Sequence, residues 1–113
     1  MQRPMKANLH YTHESRQDLD DIWDYIAVEL SNPIAAARTV DKIMDAIDQL
    51  EIFPEMGSPL RAITHTKSDL RFLVCGNYLA FYRVREQDVY IDRILYGRRD
   101  YLSTLFGEPL MTR

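Results

Sequence analysis

The sequence predicts an α+β fold: a helix hairpin packed on one face of a mostly antiparallel four-stranded sheet, followed by a short C-terminal helix. Three observations lead there. Two consecutive segments of the first half carry apolar residues at helical spacing. Three aromatic and β-branched runs of the second half follow one another with only turn-length gaps, so helices do not alternate with strands as a parallel α/β sheet requires. The chain has 113 residues, 46% of them hydrophobic and 27% charged, which suits one globular core and neither two domains nor a disordered polymer. Residues 1–113 are therefore read as a single domain with its core at about 8–106.

The elements follow in order. Leu9, Tyr11 and His13 alternate with polar neighbours and predict a brief strand. Leu19, Ile22, Trp23, Ile26 and Leu30 then form one helical stripe. Thr12 or Ser15 caps this helix, and Ser15 with Asp18 resembles a capping box in which Asp replaces Glu. Ser31-Asn32-Pro33 stops the first helix and starts a second, with Asn32 as cap and Pro33 in the first turn, where its missing N–H has no partner to lose. Ala36, Val40, Ile43, Ile47 and Leu50 make the second stripe, to about Ile52, while Asp41, Asp45 and Asp48 line another face. The short connection makes an antiparallel hairpin.

Pro54 and Gly57 end it, and residues 58–69 read as a loop. Strands are expected at Leu70–Cys75, Tyr78–Val84 and Val89–Tyr96, joined at Gly76-Asn77 and Glu86-Gln87-Asp88. Arg99 to Phe106 forms the last helix, ended by Gly107 and Pro109, and the tail Leu110–Arg113 is loose.

Charge divides the chain. Residues 1–60 carry 5 Lys/Arg against 11 Asp/Glu, and residues 61–113 carry 9 against 6, which leaves the total at −3. That total is too acidic for a protein that coats nucleic acid, although the second half can hold a basic patch. The one cysteine, Cys75, excludes an internal disulfide and fits a reducing cytoplasm; it reads as a buried, inert thiol. No apolar run reaches the ~18 residues of a membrane helix, and the N-terminal residues lead into no secretory signal.

Little conventional chemistry is written in the residues. His10, His13 and His65 do not make a metal site without a Cys pair, and they read as surface histidines; neither a metal nor a cofactor is expected. There is no nucleophile elbow, phosphate loop or dinucleotide fingerprint. Asp20, Asp21 and Asp24, like the second-helix acids, read as a solvated face or a docking surface for a basic partner. The arginines are more telling. Arg71, Arg83, Arg93, Arg98 and Arg99 all fall on or beside the three-strand run, where their rigid forks suit carboxylate or phosphate. Pairing with acids such as Asp92 or Asp100 would account for one or two of the five. Arg71 and Arg83 are expected on one face of the sheet, and the group as a whole is read as a surface for an anion or an acidic partner.

Leu70-Arg71-Phe72-Leu73-Val74, Asn77 to Val84, and Val89 to Tyr101 with its Gly97-Arg98-Arg99-Asp100 corner resemble the central strands of the RelE/ParE toxin superfamily. Asp18 to Ile26 and the Pro54-Glu55-Met56-Gly57 break agree with it, so the resemblance spans about residues 8–106. It implies a bacterial toxin of a type II toxin–antitoxin system, held inactive by an antitoxin whose extended segment wraps it. The RelE-like branch cleaves messenger RNA on the ribosome without a metal, through basic residues and often a C-terminal tyrosine or histidine. The ParE-like branch poisons DNA gyrase.

Alignment within the superfamily arbitrates between these branches. It places Leu79 where RelE-like enzymes carry an arginine, and Leu105 where their catalytic tyrosine falls. Arg99 matches an arginine, Arg71 stands in a strand without a lysine pair, and Tyr101 follows Arg99 by two residues. RNA cleavage needs an acid or base at the 2′-OH and cations on the phosphate, so the leucines favour the ParE-like branch.

The expected protein is thus a non-enzymatic gyrase inhibitor with no membrane association and no sequence-specific nucleic-acid binding of its own. Its partners are gyrase and a cognate antitoxin, of ribbon-helix-helix type. Arg71, Arg83, Arg93, Arg98, Arg99 and Tyr101 form its antitoxin- or target-binding surface. The alternatives are an endoribonuclease using Arg71, Arg83, Arg99 and Tyr101, or a toxin fold that has lost toxicity.

Overall fold

The computed structural model describes residues 6–62, 68–98 and 101–107. Strand β1 (Asn8–Tyr11) leads into helix α1 (His13–Asp24), a π-helical turn (Tyr25–Glu29) and helix α2 (Pro33–Asp48), which tightens into a 3-10 turn at Gln49–Glu51. Strands β2 (Ser58–Pro59), β3 (Arg71–Cys75), β4 (Tyr78–Arg85) and β5 (Asp88–Tyr96) follow, then helix α3 (Tyr101–Phe106). The sheet order is β1-β5-β4-β3-β2, parallel between β1 and β5 and antiparallel elsewhere.

The architecture is the expected α+β arrangement with five strands in place of four. The additional one, β2, is two residues long, and its Ser58 and Pro59 lie opposite Phe72 and Arg71. A Ser-Pro pair has the composition of a turn; it is tolerated here because proline costs no ladder hydrogen bond at a sheet edge. The expected start of the last helix at Arg99 and the tail Leu110–Arg113 lie outside the described residues.

Both caps of the hairpin are local chemistry. Thr12, not Ser15, caps α1: its Oγ1 accepts from Ser15 N at 3.1 Å, while Ser15 Oγ donates back to the Thr12 carbonyl. Asn32 Oδ1 accepts from Ala35 N at 3.1 Å, with Pro33 in the first turn of α2. Both arrangements satisfy N–H groups that a helix start leaves without partners.

The π-helical turn changes the expected stripe. Leu30 N donates to Tyr25 O, five residues back, so one extra residue is accommodated per turn. Ile22 and Ile26 remain buried, but the phase slips beyond them and Leu30 is 55% exposed. The α2 stripe keeps its phase, and Ala36, Ile43, Ile47 and Leu50 are all buried.

Two apolar clusters sandwich the sheet. The larger joins the hairpin to Leu73, Cys75, Ala80, Tyr82, Val89, Ile91 and Ile94. On the opposite face, Leu60, Phe81 and Leu95 gather Phe72, Leu79, Tyr101 and Leu105, so α3 covers part of that side. Alternation along β4 assigns Ala80 and Tyr82 to the hairpin face and Phe81 to the other, as the two-residue period of a strand requires.

One buried group has no counterpart in this packing. Tyr11 Oη is enclosed without a hydrogen-bond partner among the described residues. Burial, with Asp48 and Cys75 adding to it, pushes its hydroxyl up to about 12. Tyr11→Phe removes this orphan at nearly constant shape, so urea unfolding should find stability unchanged or raised by up to about 1 kcal/mol. A loss beyond that would show that the hydroxyl is satisfied.

Candidate functional site

The basic surface expected from sequence is divided by the fold. Arg71 lies opposite Tyr82 on the hairpin face, whereas Arg83, the next residue along β4, lies on the other face. The two arginines therefore do not share a face. The hairpin register, which a one-residue shift inverts, places them apart.

Each of the three strand arginines expected at the site, Arg71, Arg83 and Arg93, has an internal partner. Arg71 donates from NH2 to the Gly57 carbonyl at 2.8 Å and the Glu55 carbonyl at 2.9 Å, which ties the segment after the hairpin to β3. Arg83 donates from Nε to Asp92 Oδ2 at 2.7 Å and from NH2 to Asp92 Oδ1 at 3.0 Å. Asp92 is the extra residue of a bulge, since Phe81 pairs with Arg93 and Tyr82 with Ile91. Both members of this pair retain solvent contact, so it contributes less than a buried pair would. Its main effect is to hold the guanidinium 4.9 Å from the Tyr90 ring centroid.

Arg93 is engaged most fully. Its Nε and NH2 donate to Asp18 Oδ2 and Oδ1, both at 2.8 Å, and Ile94 N also donates to Asp18 Oδ2 at 2.8 Å. Asp18 is only 7% exposed. It belongs to no capping box: the carboxylate leaves α1 and clamps it to β5. Nothing local in the sequence announces this, because the partners are 75 residues apart.

Arg98 is exposed beyond the end of β5, and Arg99 lies outside the described residues. Tyr101 packs its ring 5.4 Å from that of Phe81, on the face away from the hairpin. Leu79 and Leu105 join the same apolar cluster. The expected site residues are thus dispersed: Arg83 and Tyr101 on one face, Arg71 on the other, Arg93 at the α1 contact and Arg98 at the corner.

The other candidates settle simply. Cys75 is buried, and that burial pushes its thiol up to about 11, which keeps it protonated and unreactive at neutral pH. His10 Nε2 lies 2.8 Å from Asp88 Oδ1, and its ring stacks on Tyr90 at 4.8 Å. This contact holds the exposed Asp88 carboxyl below the usual range. Among the described residues no three His, Cys, Asp or Glu side chains gather as a metal site. None of the helices described is long and apolar enough to cross a membrane.

Sequence reading missed a groove between α1 and the ends of β4 and β5. It has a volume of about 400 Å³ and is lined by tyrosines and carboxylates from α1, the π-helical turn, β4 and β5. Tyr78 and Tyr96, opposite each other in the β4–β5 register, meet edge to face at 5.6 Å. The one sequence signal for it is that these tyrosines bracket the strand pair.

Residues 9–101 match the family model described as ParE toxin of type II toxin–antitoxin system, parDE. No curated protein matches the sequence. Among solved structures, the chain is similar to a chromosomal ParDE toxin–antitoxin system from P. aeruginosa, with 24% identity, a TM-score of 0.67, and coverage of 80% of this chain and 96% of that one. It is also similar to the toxin–antitoxin complex RelBE2 from Mycobacterium tuberculosis, with 21% identity, a TM-score of 0.55, and coverage of 80% and 98%.

Proposed function

Because the chain belongs to the ParE toxin family of type II toxin–antitoxin systems, we propose that it acts by protein binding and not by catalysis, inhibiting DNA gyrase in the cytoplasm until a cognate antitoxin neutralises it. The observation that carries this reading is the packing of Leu79 and Leu105. At the two positions where the superfamily's nucleases place an arginine and a tyrosine, this chain has leucines in an apolar cluster with Leu60, Phe81 and Leu95. Such a cluster offers neither a proton donor nor a cation to a phosphate in the transition state.

The exposed corner at Arg98, continued by Arg99 and Tyr101, is the part of the basic surface we assign to an acidic partner segment. Arg83, one-third exposed, extends it on the face away from the hairpin. Arg71 and Arg93 contribute through the fold, since their donors are occupied by Gly57, Glu55 and Asp18. Arginine at a rim steers a partner and sets specificity more than it adds affinity.

The purified protein should inhibit gyrase supercoiling and stabilise gyrase-dependent DNA cleavage, and the cognate antitoxin should reverse both. A large molar excess without effect on gyrase would overturn the reading. Codon-positioned cuts in a toeprinting assay on translating ribosomes, lost in Tyr101→Phe, would replace it with the endoribonuclease reading, which Arg83 and Tyr101 on one sheet face favour.

A further inference from the structure

We propose that the groove between α1 and the ends of β4 and β5 receives an arginine or lysine side chain presented, between apolar residues, by a segment of a protein partner. This assigns a second docking surface, opposite in sign to the Arg98 corner, and it does not require the gyrase reading to hold.

The walls are aromatic. Tyr78 and Tyr96 stand edge to face, and Tyr25 joins them from the other side as the first residue of the π-helical turn. Tyr25 is 51% exposed and Tyr96 44%, so these rings are open to an incoming side chain and are not spent on the core. Ile22 and Ile94 form an apolar floor. Burial and the neighbouring Tyr96 and Tyr25 hold the Tyr78 hydroxyl above its usual range, and the π faces of neutral tyrosine rings attract a cation.

The charge around the groove points the same way. Asp18 and Asp21 are the carboxylates that line the groove. Asp18 is consumed by Arg93 and Ile94, which leaves Asp21 as the groove's remaining carboxylate. Asp21 lines the groove and is exposed, and its Oδ1 accepts from Gln17 Nε2 at 3.0 Å. A cavity of this size with apolar walls and few polar groups has the build of a side-chain anchor site, and arginine is over-represented among such anchors.

The test uses the intact protein with ring-labelled tyrosine and two peptides, acetyl-Leu-Arg-Leu-amide and the same peptide with citrulline, which keeps the shape of arginine and removes its charge. The arginine peptide should shift the Tyr25, Tyr78 and Tyr96 resonances saturably, and the citrulline peptide should bind at least about 5-fold more weakly. Asp21→Asn, an exposed and foldable change, should weaken the arginine peptide about 3-fold, while Asp45→Asn on α2 should not. Equal binding of the two peptides, shifts confined to other tyrosines, or no saturation up to about 20 mM would overturn the assignment. Gyrase plays no part in this readout, so an inactive toxin that still discriminates arginine from citrulline leaves the groove standing, and an active one that does not discriminate removes it.

Discussion

Asp18→Ala should be among the most damaging single substitutions in this protein, lowering stability by about 3 kcal/mol in urea unfolding. It removes three 2.8 Å hydrogen bonds at once and leaves both the Arg93 guanidinium and the Ile94 N–H without an acceptor. Breaking a fully buried pair costs about 3–5 kcal/mol, but Arg93 is one-quarter exposed and recovers some hydration, so the low end applies. Asp18→Asn keeps an oxygen for Ile94 N and should cost only about half as much. Equal losses in the two variants would show that the ionic contact with Arg93, and not the strand N–H, carries the effect. A loss below about 1 kcal/mol in Asp18→Ala would mean that α1 is held to β5 by its apolar stripe alone. In either case an Arg93 substitution must be scored for stability before it is scored for binding.

Gly57→Ala should be nearly as costly, about 3 kcal/mol, with the melting temperature falling by about 10 °C. The reason is space and not backbone conformation. A Cβ built on Gly57 would lie 2.5 Å from the Phe72 carbonyl oxygen, 2.7 Å from Tyr82 Oη and 2.9 Å from Tyr82 Cε1. Phe72 is held in the sheet between Ser58 and Phe81, and the Tyr82 ring is fully buried, so neither can retreat cheaply. The displacement would also strain two contacts that Gly57 makes: its N–H donates to Tyr82 Oη at 2.9 Å, and its carbonyl accepts from Arg71. Thermal unfolding followed by circular dichroism measures the change. A fall of less than about 2 °C would mean that the segment after the hairpin moves away from β3 without loss.

These two residues mark where sequence reading stopped. Gly57 reads locally as a turn residue, and Asp18 as part of a cap. Both readings are sound local chemistry. Asp18 is drawn instead to Arg93, 75 residues away, and Gly57 is wedged under a tyrosine 25 residues away. The arginines repeat the lesson. Five of the six between residues 71 and 99 read as one surface, but a shift of one residue in pairing sends Arg71 and Arg83 to opposite faces. The acid for Arg83 was nameable in advance because Asp92 is close in sequence. The partners of Arg71 are backbone carbonyls, which no composition reveals.

What the sequence by itself determined were the properties set by near neighbours: the Asn32-Pro33 start of α2, the phase of its apolar stripe, the turn at Gly76-Asn77 and the strand runs around it. The order of those elements was enough to predict an α+β domain with helices on one face of the sheet. Tertiary structure alone decided the two-residue fifth strand, the π-helical slip at Tyr25, the spending of Arg93 on Asp18, and the meeting of Tyr25 with Tyr78 and Tyr96 in one groove. Caps and stripes are written in a few consecutive side chains, whereas a groove and a buried ion pair exist only once distant segments share one register and one face.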